Sequence, residues 1–265
     1  MSSQIESKYT QTLLTLVHHI ANSHPQLAKH IEAIAQMIQG KGYGTASIQQ
    51  ENEVVHKLLG QEPTLAIDIG GNVGEYTAEL RRRNPNLEIH IFEPSNTNVE
   101  KLNARFDKDR SIKILPFAVS DKNGQATLFS ENAGSVLGSL TKRKLEHINI
   151  SFNVTEAITT IRFEDYWKSV LNERLLDIVK IDIEGHELAA LNGFGKAIFS
   201  TNVIQFEFGG CNIDTRTFFQ DFWYFFTERD FSLFRITPLG AEHISSYRES
   251  DEYFSTTNYI AVRKR

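Results

Sequence analysis

The chain has 265 residues, 40% of them hydrophobic, and a formal net charge of −5 at pH 7. That length accommodates one core of about 200 residues plus an additional piece, and the modest negative charge excludes the strongly basic field that nonspecific nucleic-acid binding needs. A single cysteine, Cys211, excludes internal disulfides and cysteine-rich metal centres and fits a reducing, cytoplasmic setting.

The opening MSSQIESKYTQ shows no basic region followed by an apolar stretch, and no apolar run approaches about 18 residues, so neither a secretion signal nor a membrane span is expected. Residues 8–38 carry apolar positions at helical spacing, Leu13, Leu14 and Val17 and then Leu27, Ile31, Ile34 and Ile38. They read as two amphipathic helices broken at His24 and Pro25, followed by a flexible stretch at Gly40, Gly42 and Gly44 and a short helix over 51–59. The expected division is an N-terminal helical extension, 1–60, and a Rossmann-like domain, 61–265. The extension cannot itself build a nucleotide site; it covers a sheet face, caps a pocket or pairs with a second copy of the chain.

From residue 64 the rhythm becomes strand, loop, helix. TLAIDIG is a nearly all-apolar strand, as a central parallel strand should be. A helix from Gly74 to Arg83 follows, whose Arg81, Arg82 and Arg83 read as a solvated helix end. LEIHIFE, NTNVEKLNARF and SIKILPFAVS then supply strand, helix and strand, and DKNG a turn. ATLFS is a short strand; residues 131–160 are weakly patterned and read as a surface excursion with a short helix near 141–147. FEDYWKSV is helical, LLDIVKIDI the fourth strand, HELAALNGF its helix and NVIQFEFGG the fifth strand. An aromatic helix over 215–229, whose FFQDFWYFF block is expected to be core, precedes FSLFRIT and NYIAVRK, a candidate antiparallel edge pair. Alternation at these lengths specifies a doubly wound α/β sheet.

The loop Asp68-Ile-Gly70-Gly71-Asn72-Val-Gly74 follows its strand at once. Gly70 allows a tight turn with backbone N–H groups near a ligand, and Gly74 allows close packing of the next helix. Glu93 ends the second strand, where a carboxylate accepts ribose hydroxyls. Dinucleotide folds use G-x-G-x-x-G with the diphosphate on the helix N-terminus; here an acidic residue stands two places before the first glycine of a longer D-x-G-x-x-x-G pattern. It would repel a diphosphate and suit a ligand bearing an ammonium and a sulfonium. S-adenosylmethionine is the expected cofactor, with Ala118 beside its adenine ring.

Lys180-Ile-Asp182-Ile-Glu184-Gly185-His186-Glu187 places charge at the end of a central strand, affordable only at the sheet's carboxyl edge. Alternation puts Lys180, Asp182 and Glu184 on one face and Ile181 and Ile183 on the other. Asp182 or His186 is the expected base, with Glu184 and Glu207 orienting the acceptor; in the simpler reading Lys180 pairs with a carboxylate and His186 caps or packs. These ligand types would also suit a magnesium-like ion, but their spacing matches no metal motif, so none is expected.

The segments AIDIGGNVGEYT, IFEPSNTNVEKLNA, FAVSDKNGQATLF and FEDYW, and above all DIVKIDIEGHELAALNGF, resemble the FkbM-type methyltransferases over 64–262. The resemblance implies a seven-stranded class I sheet with its last strand antiparallel. It implies cofactor contacts at Asp68, Gly70, Asn72, Gly74, Glu93 and Ala118, and Asp182 facing the methyl group and acceptor. It also implies O-methylation of a sugar or natural product, with asparagine side-chain N-methylation in a peptide or protein as the alternative. A non-catalytic binding protein keeping the fold is the reading outside enzymes. Tyr166, Trp167, Trp223 and Tyr224 are candidates for stacking on a sugar acceptor.

Overall fold

The computed structural model describes residues 10–19, 25–42 and 47–264. Helix α1 covers residues 10–19, and α2 (Pro25–Ile38) opens on its proline, where the missing N–H costs nothing. The expected break at His24 and the glycine at 44 lie outside the described residues. Helix α3 (Ile48–Leu59) is capped by Ser47, whose Oγ accepts the Gln50 N–H, and ends on Gly60 in the left-handed conformation. The α/β part then runs β1 (Leu65–Ile69), α4 (Glu75–Arg83), β2 (Glu88–Phe92), α5 (Asn96–Phe106), β3 (Ile112–Leu115), β4 (Ala118–Ser120), β5 (Gly124–Ser130), β6 (Val154–Arg162) and α6 (Phe163–Ser169). It continues through β7 (Leu176–Ile181), α7 (Glu187–Gly193), β8 (Thr201–Phe208), α8 (Cys211–Thr215), α9 (Phe219–Thr227), β9 (Phe231–Thr237), β10 (Gly240–Ile244) and β11 (Thr257–Arg263).

The main sheet has eight strands in the order β10-β9-β11-β8-β7-β1-β2-β3. Strands β8, β7, β1, β2 and β3 pair in parallel, and β11 is antiparallel to both β8 and β9. Two expectations are corrected here. The sheet has eight strands, because β10 folds back on β9 as a hairpin, and β11 is interior, leaving β10 at the edge. The short GAEHI run carries little apolar signal, which is why it escaped the sequence pattern.

The third expected strand is also divided. Pro116 cannot donate to a ladder, and the chain leaves the main sheet there; Ala118 lies on β4, in a second sheet ordered β4-β6-β5. Strand β6 occupies the end of the stretch read as a surface excursion, and the expected helix near 141–147 is only a 3-10 turn at Glu146–Ile148. The aromatic helix expected over 215–229 is α9, Phe219–Thr227, and the short α8 before it, Cys211–Thr215, is an additional turn of helix.

Alternation along the strands sorts the core into two faces. Leu65, Ile67, Ile69, Val179, Ile181, Ile204 and Phe206 pack with Phe194, Phe222 and Phe226; Phe219, Phe222, Phe225 and Phe226 of the aromatic block are core as expected, while its Phe218 and Tyr224 are exposed. Ala66, Ile89, Ile91, Ile178 and Val203 pack on the opposite face with Tyr76 and Leu80 of α4 and Leu102 of α5, and with Val55 and Leu59 of α3. Helix α3, placed by sequence in the N-terminal extension, thus packs Val55 and Leu59 into this face of the core. Leu13, Leu14, Ile34 and Met37 on α1 and α2 remain exposed. Two of the three arginines closing α4 are engaged: Arg81 donates to the Pro85 and Leu87 carbonyls and pairs with Asp109, and Arg82 pairs with Glu79. Among the described residues no helix is long and apolar enough to cross a membrane.

Candidate active site

The strand order reverses direction between β1 and β7, where open α/β sheets bind ligands beyond the carboxyl ends of their strands. A cavity of about 690 Å³ opens there, within the usual range for small-molecule sites. Gly70, Asn72, Glu93, Ala118, Asp182, Glu184, His186 and Glu207 all line it. Sequence reasoning therefore brought eight of its ten candidates to one cavity wall, and the remaining two, Asp68 and Gly74, stand behind it.

Gly70 has φ +85°, and a Cβ there would lie 1.9 Å from the Asp182 carbonyl oxygen, so only glycine lets the β1 and β7 ends approach this closely. Gly74, at φ +84°, sits against Phe106 and Leu102, so it serves the α4–α5 packing. Asn72 is left-handed at φ +48° and donates its backbone N–H to Glu93 Oε2 at 2.8 Å. Ser95 N–H donates to the other oxygen, Oε1, at 2.9 Å. Burial pushes the Glu93 carboxyl up to about 7 against these hydrogen bonds, which favour its charged form.

Asp68 is fully buried beneath the loop and does not line the cavity. Its Oδ2 accepts the Thr77 hydroxyl at 2.7 Å, fastening β1 to the first turn of α4, and its Oδ1 has no hydrogen-bond partner. Burial raises its carboxyl, with Lys180 acting in the opposite direction. The direct cofactor contact expected of Asp68 is replaced by support of the loop.

Asp68, Lys180 and Gln205 are aligned across β1, β7 and β8 and share the α3–α4 face of the sheet. Lys180 Nζ donates to Asp182 Oδ2 at 3.0 Å and lies 5.1 Å from the centre of the Tyr76 ring. Burial lowers the Lys180 ammonium, but the adjacent Asp182 and Asp68 outweigh it and hold the proton firmly. Gln205 accepts the Tyr76 hydroxyl and donates to Glu51 Oε2 at 2.8 Å. Ile48 and Glu51 of α3 themselves line the cavity, which is the pocket-capping role among those the sequence left open to the N-terminal segment.

Strict alternation ends with β7 at Ile181. Glu184 is left-handed at φ +54° and Gly185 follows at φ +99°, so the chain turns into α7, and Ile183 lines the cavity together with Asp182 and Glu184. Glu187, buried, holds this turn by accepting the Ile183 and Gly185 N–H groups on Oε1 at 3.0 and 3.1 Å. Arg143 pairs with Glu184 Oε2, and Ser139 Oγ donates to the Glu184 carbonyl at 2.7 Å. Burial, then Asp182, push the Glu184 carboxyl up to about 7, with Arg143 opposing. His186 stands at the N-cap of α7 without a capping side-chain bond; its imidazole is lowered, chiefly by burial, and so is neutral at neutral pH. Burial and the carboxylates of Asp182, Glu184 and Glu187 push Glu207 well up.

Sequence reasoning missed the supporting set: Glu51, Tyr76, Arg143 and Gln205, and any role for Glu187. Glu187 and Tyr76 lay within motifs already singled out, and Gln205 within the fifth expected strand, but nothing in the sequence marked their roles. Glu184, Glu207 and Cys211 place one ligand atom each within 4.8 Å of one another. Burial keeps the Cys211 thiol protonated and Arg143 occupies Glu184, so the trio carries no metal assignment. None of the four aromatic stacking candidates lines the cavity. Tyr166 hydrogen-bonds His90 in the core, and Trp167 Nε1 donates to the Arg174 carbonyl.

The methyltransferase FkbM domain matches residues 68–233, well over half of the chain and every cavity-wall residue described above except Ile48 and Glu51. The chain belongs to the FkbM methyltransferase family. Members of this family depend on S-adenosylmethionine, and the sheet seen here is of mixed α/β, Rossmann-like type. Methyltransferase 1 of Beauveria bassiana is 22% identical over 179 residues, 57% of this chain and 70% of that protein. Hexuronic acid methyltransferase AglP of Haloferax volcanii is 24% identical over 163 residues, 60% of this chain and 63% of that protein. Among solved structures, the FkbM methyltransferase of Methylobacillus flagellatus superposes with a TM-score of 0.44 at 16% identity, covering 75% of this chain and 43% of that one. The SAM-dependent O-methyltransferase of Thermotoga maritima does so with a TM-score of 0.40 at 12% identity, covering 81% and 65%. The FkbM match begins at Asp68, so α3 and its Glu51 lie outside the matched residues.

Proposed function

We propose that this FkbM-family chain transfers the methyl group of S-adenosylmethionine to a hydroxyl of a sugar or other small metabolite. The observation that carries the reading is the continuity of one cavity from Glu93 on β2, past the Gly70 turn on β1, to Asp182 at the end of β7. Glu93 takes the ribose hydroxyls: its two oxygens each accept one backbone N–H, and a carboxylate oxygen has room for a second donor. The glycine turn, which a side chain at Gly70 would close, receives the amino-acid end, and Phe117 and Ala118 flank the base. When bound, the cofactor supplies an electrophilic methyl on a sulfonium.

The residues at the β7 end do the rest. Direct displacement requires alignment and the removal of one proton from the acceptor hydroxyl. Lys180 fixes Asp182 through Oδ2, leaving Oδ1 to take that proton. Neutral His186 is the second base available on this wall, and Glu184, immobilised by Arg143, orients the acceptor. The sugar class draws on the name of one relative, a hexuronic acid methyltransferase. Labelled S-adenosylmethionine incubated with a fractionated host extract tests the reading, through the chemical linkage of the labelled product. Label on an oxygen of a small polyol supports it. Label on an asparagine side chain of a protein, or no label despite cofactor binding, counts against it.

A further inference from the structure

Among the described residues Glu207 is the one carboxylate of the cavity wall that has neither a hydrogen bond nor an ion pair. Lys180 engages Asp182, Arg143 engages Glu184 and Asp214, and two backbone N–H groups engage Glu93. Glu51 accepts from the amides of Gln205 and Asn258. The Glu207 carboxylate lines the cavity with protein packed round most of it; among the described residues no donor bonds to it and no cation pairs with it, and Lys180, itself paired with Asp182, acts on it only through its field. Its place in the sheet separates it from the cofactor. The strands ending at Glu93, Gly70, Asp182 and Glu207 are consecutive, β2-β1-β7-β8, at about 4.8 Å per step. A nucleoside held at Glu93 and the glycine turn reaches Asp182 first, so Glu207 lies on the acceptor side.

Resting on the methyl-transfer reading above, we propose that the acceptor carries a cationic group, a protonated amine close to the reacting hydroxyl, and that Glu207 is the residue that recognises it. An enclosed carboxylate with no partner is costly to ionise, and a cation entering beside it removes that cost while displacing no existing bond. The upward shift of Glu207, from burial and from Asp182 and Glu184, has the same origin: this end of the cavity has an excess of negative charge. A neutral polyol leaves that excess uncorrected, and an acceptor carboxylate adds to it. The acid group of a hexuronic acid is therefore the feature this site selects against.

The test uses the full chain loaded with S-adenosylhomocysteine, titrated by calorimetry at pH 7 with glucosamine, glucose and glucuronic acid as probes. The expected order is the amine at least tenfold tighter than the neutral sugar, with the acid weakest. Glu207→Gln is expected to abolish that preference while changing S-adenosylmethionine affinity less than threefold. Equal or tighter binding of the acid, no binding of any probe, or a preference that survives Glu207→Gln overturns the proposal. So does a tenfold loss of cofactor affinity in that variant, which would give Glu207 to the cofactor. The wild-type series decides the charge preference even where the variant fails to fold. A chain that binds neither S-adenosylhomocysteine nor S-adenosylmethionine fails at the earlier step, the methyltransferase reading itself, and takes this proposal with it.

Discussion

Asn72 donates its backbone N–H to Glu93 Oε2 at 2.8 Å, so the glycine loop after β1 is fastened to the carboxylate that ends β2. In the proposed cofactor site, ribose binding and loop shape thus rest on one side chain. Glu93→Ala removes the ribose acceptor and also leaves the Asn72 and Ser95 N–H groups without their partner. Hydrogen bonds to charged groups contribute about 1.5–3 kcal/mol, so S-adenosylmethionine affinity should fall by roughly 10- to 100-fold. Glu93→Gln, which keeps one acceptor oxygen, should lose less. Isothermal titration of both variants measures this, and unaltered affinity in the alanine variant would remove Glu93 from the cofactor site.

Asp182 is held by Lys180 but sits at the open wall of the cavity, a place suited to proton transfer more than to cofactor binding. Asp182→Asn preserves the shape and an acceptor for Lys180 while removing the base. Positioned proton transfer is worth about 10²- to 10⁴-fold in rate. Turnover of the identified acceptor should fall by at least about 100-fold, with the cofactor dissociation constant nearly unchanged. A variant that turns over at the wild-type rate would transfer the role of base to His186.

The site was legible where chemistry and backbone geometry fall in one short run. Asp68 to Gly74 and Lys180 to Glu187 each join a strand end to a turn that requires glycine, so order along the chain predicted proximity in space. Glu93 and Glu207 followed from being strand ends at the same sheet edge. Illegible were the groups that reach this edge from elsewhere: Glu51 from α3, Arg143 and Ser139 from the weakly patterned loop, and the Tyr76–Gln205 pair, whose members are ordinary residues 129 positions apart. Asp68 misled for a different reason. An acidic residue before a glycine turn has the same sequence whether it meets the ligand or the hydroxyl of Thr77, and only burial distinguishes the two. Strand β6 was hidden because threonine and glutamate alternate with its few apolar residues, and β10 because it pairs on one side only.

The domain boundary gives a prediction independent of catalysis. Val55 and Leu59 of α3 are buried against the sheet, whereas the apolar side chains of α1 are exposed. Removing residues 1–24 should leave the melting temperature within a few degrees. Removing 1–60 exposes two fully buried side chains' worth of contacts, each about 1.5–3 kcal/mol, along with Tyr76 and Leu80. That chain should melt far lower or fail to fold. Circular dichroism melts of the two truncations decide it, and equal melting would support the boundary at residue 60.

Glu187 provides a test of the turn that carries the acidic cluster. Burial raises its carboxyl from an ordinary 4.5 to about 7, against the Ile183 and Gly185 N–H bonds that favour its charge. A carboxyl raised on folding binds its proton more tightly in the native state. Its contribution is therefore complete below about pH 4.5 and is lost as pH rises towards 7. Glu93 and Glu184 are raised to about 7 and act in the same direction. Glu88 is the opposite case. Burial raises it but the bonds from Arg174 and His90 prevail and bring it down to about 2, so its stabilisation is present above about pH 4.5 and lost as pH falls through 2. Glu187→Gln keeps the acceptor oxygen for the two N–H groups and cannot ionise. At pH 5 the variant should match the wild type, and at pH 8 it should be the more stable by up to about 3 kcal/mol. Urea unfolding at the two pH values measures the gap, and a difference that stays constant from pH 5 to 8 would mean that Glu187 carries no buried proton and holds the Ile183–Gly185 turn by hydrogen bonding alone.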